Sequence, residues 1–341
     1  MPTVNGDETS TAHQLDCQQP KPHRSPFGAQ LLYLFIPRIA LTCRTNKTAP
    51  QTLAQRIPLH VLTLLLFLPP PIQAAMPCGP AFGNITSGGK YPFVVYEGLL
   101  YRGMPDLSRH GITKLPIVDR GIWSALGDKA PPDPEMVAKV VRTFPANTSP
   151  IVLDFEGFSL NGTDKLVQES IERIKQISTE FRRQAPDRKI GNYGPPPIRD
   201  YWRSIQRDRN NPKFKAWQTE NDRLAELEGN MDLLFPSLYT FYNNPTGWQT
   251  FAISQICEAR RLSTKPVIAF LWPEFHDSGT SNKEPFIDAE FWKLQLTVVK
   301  EYADGIVLWG GYDLKQGRPR NWDESAAWWS ETKLFMEKKQ K

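Results

Sequence analysis

The sequence predicts an α/β fold, a (β/α) TIM-type barrel of parallel strands, seven or eight in number. Two observations predict it. From about residue 91 onward, short apolar runs alternate with longer stretches of helical periodicity. No run is followed by a glycine-rich dinucleotide fingerprint, which an open doubly wound sheet would favour. Seven such units over about 250 residues suit a closed barrel better than an open sheet.

In chain order, the expected strands are 92–98 (PFVVYEG), 114–121 (KLPIVDRG), 149–157 (SPIVLDFEG), 189–194 (KIGNYG), 231–239 (MDLLFPSLY), 265–273 (KPVIAFLWP) and 303–311 (ADGIVLWGG). Between them, residues 134–143 read as a helix. A second begins near Thr163, where Leu166, Val167, Ile171, Ile174, Ile177 and Phe181 recur at helical spacing. Further helices are expected at 215–229, 248–262, 286–302 and 322–338. These elements place one barrel domain over residues 76–341.

The N-terminal part reads differently. Residues 56–75 resemble a secretory signal: Arg56 supplies charge, Ile57 to Leu68 form a short apolar stretch, and Ala74 and Ala75 offer a cleavage site. Twelve residues interrupted by Pro58 and His60 are too few to cross a bilayer. Residues 1–55, rich in Pro, Gln and Thr, form a disordered extension or lie upstream of the true start. A secreted or periplasmic, extracytoplasmic location is therefore expected, without stable membrane insertion. Of the formal charge of +5, little belongs to the barrel, where 35 basic residues face 33 acidic ones. So small an excess gives no ground for a nucleic-acid partner. Cys78 and Cys257 are left in the mature chain, either paired or as two buried thiols. With no CxxC and no Cys/His cluster, neither a metal nor a cofactor is expected.

The third strand carries the chemistry. In SPIVLDFEGF, an apolar run ends in Asp154 and Glu156, two positions apart. Side chains at i and i+2 of a strand share a face, so the carboxylates stand side by side and Phe155 faces away. Two like charges so placed favour retention of a proton, which suits general acid catalysis. In a barrel, functional groups gather at the C-terminal strand ends. Those ends supply Asn192 and Tyr193, Ser237 and Tyr239, Trp272 and Glu274 with Asp277, and Trp309 with Tyr312. Carboxylates among tyrosines and tryptophans at one mouth fit a carbohydrate site. The plainer alternative for Glu156 is a salt bridge to Arg120. Asp154 could be a structural partner, Tyr239 and Trp309 core residues, and His276 a solvated loop histidine.

The order of motifs resembles the hyaluronidase family of glycoside hydrolases. LDFEGF corresponds to the family's Asp-x-Glu, FPSLYTFY (235–242) to its Tyr-Pro-Ser-Ile-Tyr strand, and DGIVLWGG (304–311) to its Gly-Ile-Val-x-Trp-Gly strand. The resemblance runs from about 91 to 335. It departs after the glutamate, where Gly157 and Phe158 replace an acidic residue and a Trp-Arg-Pro run. NYGPPPIRDY leaves the fourth-strand tyrosine as either Tyr193 or Tyr201. The resemblance implies cleavage of an N-acetylhexosamine-containing polysaccharide or glycosaminoglycan with substrate assistance. Glu156 would be the general acid and Asp154 would orient the acetamido group. Tyr239 would hydrogen-bond that group and Trp309 would floor it. From the strand ends themselves, Tyr193, Trp272 and Glu274 are expected to take part in substrate binding, with Glu274 and Asp277 forming a second acid site or capping the following loop. Two other readings remain: a retaining pair of Glu156 with Glu274, and a barrel that binds carbohydrate without cleaving it.

Overall fold

The computed structural model describes residues 78, 79, 82, 91–123, 130–146, 148–206, 208, 210–276, 285–313 and 316–340. The extension 1–55, the signal-like segment 56–75 and Asp277 lie outside them. Among the described residues, no helix is long and apolar enough to cross a membrane.

The strands are β1 (Val94–Leu99), β2 (Thr113–Lys114), β3 (Ile117–Val118), β4 (Ile151–Leu153), β5 (Ile190–Asn192), β6 (Ile268–Leu271) and β7 (Gly305–Gly310). One ladder runs β2-β1-β7-β6 and another β3-β4-β5, all parallel. Two joins close them into a ring. At the first, β2 and β3 are halves of one crossing. Leu115 N–H donates to Glu97 O (2.8 Å) on one side, and Pro116 O accepts from Val152 N–H (2.9 Å) on the other. At the second, residues 233–240 bridge β5 to β6, with Tyr193 opposite Phe235 and Ser237 opposite Phe270. Pro236 has no N–H to donate, which explains bridges here in place of a continuous ladder. Its carbonyl still accepts from Phe270 N–H (2.9 Å). Counting β2–β3 as one strand and 233–240 as another, the described residues form a barrel of seven strands.

Alternation along these strands separates two environments. Inward-facing Leu115, Val152, Phe235, Phe270 and Val307 pack together with half-buried Tyr96, Tyr193 and Trp309. Their outward neighbours join the helices: Val118, Ile151, Leu153 and Ile190 meet α1 (Pro134–Arg142) and α2 (Asp164–Gln184). Leu234, Leu271, Ile306 and Leu308 meet α6 (Pro245–Leu262), α7 (Ala289–Tyr302) and α8 (Ala327–Gln340). Gly191 makes the interior fit, since a Cβ there would lie 2.6 Å from the Leu233 carbonyl.

Helix starts are set by short polar caps. Asp133, Asn211 and Asn244 each accept from backbone N–H groups and precede a proline at the first helical position. The expected helix at 215–229 is instead α4 (Pro212–Asp222) followed by the single turn α5 (Ala225–Glu228). The last helix begins at Ala327, five residues later than expected. The short α3 (Tyr201–Ser204) falls in a stretch with no apolar period to announce it.

Cys78 and Cys257 form a disulfide, with Cα atoms 5.5 Å apart, tying the segment before β1 to α6 across 179 residues of sequence. Reduction is expected to lower unfolding free energy by about 2–5 kcal/mol. Thermal melts with and without reductant check this; an unchanged midpoint would mean the bridge is unformed or inert.

Candidate active site

The barrel's C-terminal end begins with one extra ladder bond. Beyond β4, Asp154 N–H still donates to Val118 O (2.8 Å), and Leu153 O accepts from Tyr193 N–H (3.0 Å). The ladder therefore reaches one residue past the strand, and alternation sends Asp154 to the same side as Val152, into the interior. Phe155 turns the other way, as the pattern predicts, and meets Trp123 edge to face at 5.0 Å.

Glu156 is reached differently from the expectation. The strand ends at Leu153, so Asp154 and Glu156 are not partners in one strand; Glu156 lies on the turn that follows. The physical reason is that the ladder partner also stops, as β3 ends at Val118. The carboxyls nevertheless act on each other. Asp154 is held well above the usual carboxylate range, by burial first, then by the charges of Glu156 and Asp119, against the opposing Arg199. Its Oδ1 is shut off from solvent with no hydrogen-bond partner among the described residues. Glu156 is raised as well, by burial, again against Arg199. As a residue Glu156 is exposed, so solvent reaches it from the mouth while protein crowds its carboxyl from below. Asp154 is thus the enclosed member of the pair and Glu156 the one open to solvent.

Arg199 is the cation of this mouth. Its Nη1 donates to Ser237 Oγ (3.0 Å), and its guanidinium lies 5.2 Å from the centroid of Phe241. Ser237 Oγ also accepts from the Tyr193 hydroxyl (3.0 Å). Tyr239 is buried, with ring centroids 6.0 Å from Tyr193 and 5.3 Å from Trp272. Its hydroxyl is pushed well up by burial and by Tyr193, so it stays protonated as a donor. Trp272 is buried and its Nε1 lacks a hydrogen-bond partner among the described residues. Trp309 faces inward from β7 in the same cluster. Room for it comes from Gly98, where a Cβ would stand 3.3 Å from the indole and 2.6 Å from Ile117.

The structure thus brings together Asp154, Glu156, Tyr193, Tyr239, Trp272 and Trp309. Glu274 is buried and ion-paired with Arg320 (3.4 Å), which also reaches Asp313 (3.3 Å). Arg120 pairs with Asp119 (3.0 Å). His276 is not a solvated loop residue. It packs against Phe241, Trp272 and Tyr239 at 4.7, 5.8 and 6.1 Å, and burial with Arg199 nearby pulls it down to about 3. It is neutral at ordinary pH. Tyr201, the other candidate for the fourth-strand tyrosine, faces Trp202, Tyr242 and Phe251.

Arg199 and Asp119 were not singled out from the sequence. Asp119 lies just past β3, the position that could have marked it, whereas Arg199 lies further along the loop after β5. No group of residues that could hold a metal ion occurs among the described residues.

No protein-family model matches the chain. A hyaluronidase of Polistes annularis is 26% identical over 155 residues, which is 43% of this chain and 39% of that protein. The chain thus matches well under half the length of that relative. Among solved structures, bee venom hyaluronidase in complex with a hyaluronic acid tetramer overlays with a TM-score of 0.47 and 16% identity, covering 64% of this chain and 90% of that one. The endo-β-1,4-mannanase of Thermotoga petrophila overlays at 0.39 and 10%, covering 74% and 77%.

An enclosed carboxyl without a partner opposes folding when it ionises. Because the folded pKa of Asp154 is raised, its contribution is least unfavourable below the unfolded value, about 4, and worsens as pH rises through the folded value. Asp154→Asn is expected to gain about 0.5–2 kcal/mol at pH 8 and much less at pH 4. Urea unfolding at both pH values checks it; no gain at pH 8 contradicts it.

Proposed function

We propose that this protein is a glycoside hydrolase that cleaves an N-acetylhexosamine-containing, hyaluronan-like polysaccharide. The observation that carries the reading is the proton-retaining carboxyl pair at the barrel mouth, set among tyrosines and tryptophans. A general acid working near neutral pH needs a raised pKa, and burial raises Glu156. The partial sequence similarity to a hyaluronidase supports the same class.

In this mechanism Glu156, the member of the pair that solvent and substrate reach, gives its proton to the glycosidic oxygen. The C1–oxygen bond breaks as the acetamido oxygen of the same sugar closes on C1, so no enzyme atom becomes the nucleophile. Water then attacks C1, returns a proton to Glu156 and reopens the acetamido ring. Asp154 orients the acetamide nitrogen, and once Glu156 has given up its proton the pair's negative charge favours the positive charge that develops there. The protonated Tyr239 hydroxyl donates to the acetamido oxygen, and Trp309 forms the floor under its methyl group. Tyr193, held through Ser237, and Trp272 complete the wall. We prefer this scheme to a retaining pair of Glu156 with Glu274, because Arg320 engages the Glu274 carboxylate. We further propose that the protein works outside the cytoplasm, where the Cys78–Cys257 bridge would persist.

Hyaluronan, chondroitin and chitin oligosaccharides incubated with wild type and Glu156→Gln, followed by mass spectrometry, test the proposal. Wild type is expected to release new saccharides, and the variant to lose about 10²–10⁴-fold in rate. Equal turnover by both would remove Glu156 from its role. Binding without turnover by wild type would make this a non-catalytic barrel.

A further inference from the structure

Trp202 is 59% exposed, the largest hydrophobic side chain so exposed among the described residues. It is also held firmly. Arg203 donates to Asp200 (2.7 Å) and to both oxygens of Glu220 (2.7 Å each), while the Asp200 carboxylate caps α3 by accepting from Arg203 N–H (2.7 Å). A fixed turn therefore presents an indole to solvent.

The ring is not isolated. Trp202 lies 5.2 Å from Tyr242, Tyr242 is 6.4 Å from Phe241, and Phe241 is 4.7 Å from His276. His276 in turn meets Trp272 and Tyr239 at 5.8 and 6.1 Å, inside the mouth. Six rings thus run unbroken from the barrel interior to the surface. They come from the ends of adjacent strands: Trp202 follows β5, Phe241 and Tyr242 follow residues 233–240, and Trp272 and His276 follow β6. At the inner part, Arg199 lies against Phe241 and has no ion pair with a carboxylate among the described residues. A fixed cation beside an aromatic strip complements a polymer with acidic sugars better than a neutral one.

We propose that Trp202 and Tyr242 form an outer saccharide subsite, continuous with the mouth, that holds a ring of the polysaccharide beyond the cleaved bond. The inference rests on the glycosidase reading and names where the rest of that polymer lies. Binding energy from such remote contact appears mainly in KM for long substrates and is absent for short ones.

The test compares wild type, Trp202→Ala and Trp202→Phe on polymeric hyaluronan and on its tetrasaccharide. Trp202→Ala is expected to raise KM for the polymer roughly tenfold, with kcat nearly unchanged, and to leave the tetrasaccharide unaffected. Trp202→Phe should restore most of the loss. Equal KM on the polymer, or equal losses on both substrates, overturns the subsite while wild-type turnover upholds the glycosidase reading. If wild type cleaves neither, calorimetric binding of the polymer to wild type and Trp202→Ala decides. Weaker binding by the variant sustains the subsite on a non-catalytic barrel, and no difference overturns it. Self-association of wild type that Trp202→Ala abolishes, with saccharide binding intact, would assign the patch to a second copy and also overturn it.

Discussion

The hydrogen bond from Asp154 N–H to the Val118 carbonyl governs where the buried carboxyl points. It extends the parallel ladder one residue past β4, and strand alternation then turns Asp154 inward. That bond exists because β3 is in register with β4, with Val118 opposite Leu153. The register in turn depends on the split crossing 113–118, whose first half belongs to β1 and whose second half belongs to β4. Ring closure and the placement of the carboxyl are thus one constraint.

Once Asp154 is inside, its surroundings set its chemistry. The enclosure that makes the site useful is the same enclosure that makes an ionised carboxyl unfavourable there, and Glu156 and Asp119 add to the cost. Arg199 offsets part of it without an ion pair to a carboxylate among the described residues, and His276 adds no charge, being held neutral. Burial thus raises both carboxyls of the pair against the opposing charge of Arg199.

Much of this was legible in the sequence. The seven apolar runs all become barrel strands or bridging segments, because apolar content and flanking turn residues dictate burial on both faces of a parallel sheet. Inward placement of Asp154 and the outward turn of Phe155 follow from the period of two. What a single sequence could not show is where ladders stop. Glu156 was expected on the strand, but β4 ends at Leu153 because its neighbour ends too, a property of two segments far apart in the chain. Arg199 was missed for a related reason. Its role comes from meeting Ser237 and Phe241, which the fold alone brings near. His276 was expected to be a solvated loop residue, yet three aromatic rings from two segments pack against it. The cysteines showed the same limit: spacing left pairing open, and only the packing of the segment before β1 against α6 joins them.

A ¹³C NMR titration of the Asp and Glu side-chain carboxyls reads whether the barrel mouth keeps a proton on its carboxyl pair, with Asp154→Asn and Glu156→Gln spectra assigning the two signals. Coupled curves are expected, with both signals titrating above the ordinary carboxylate range of about 4, Asp154 by the wider margin. Two independent curves with midpoints at or below about 4 would contradict it.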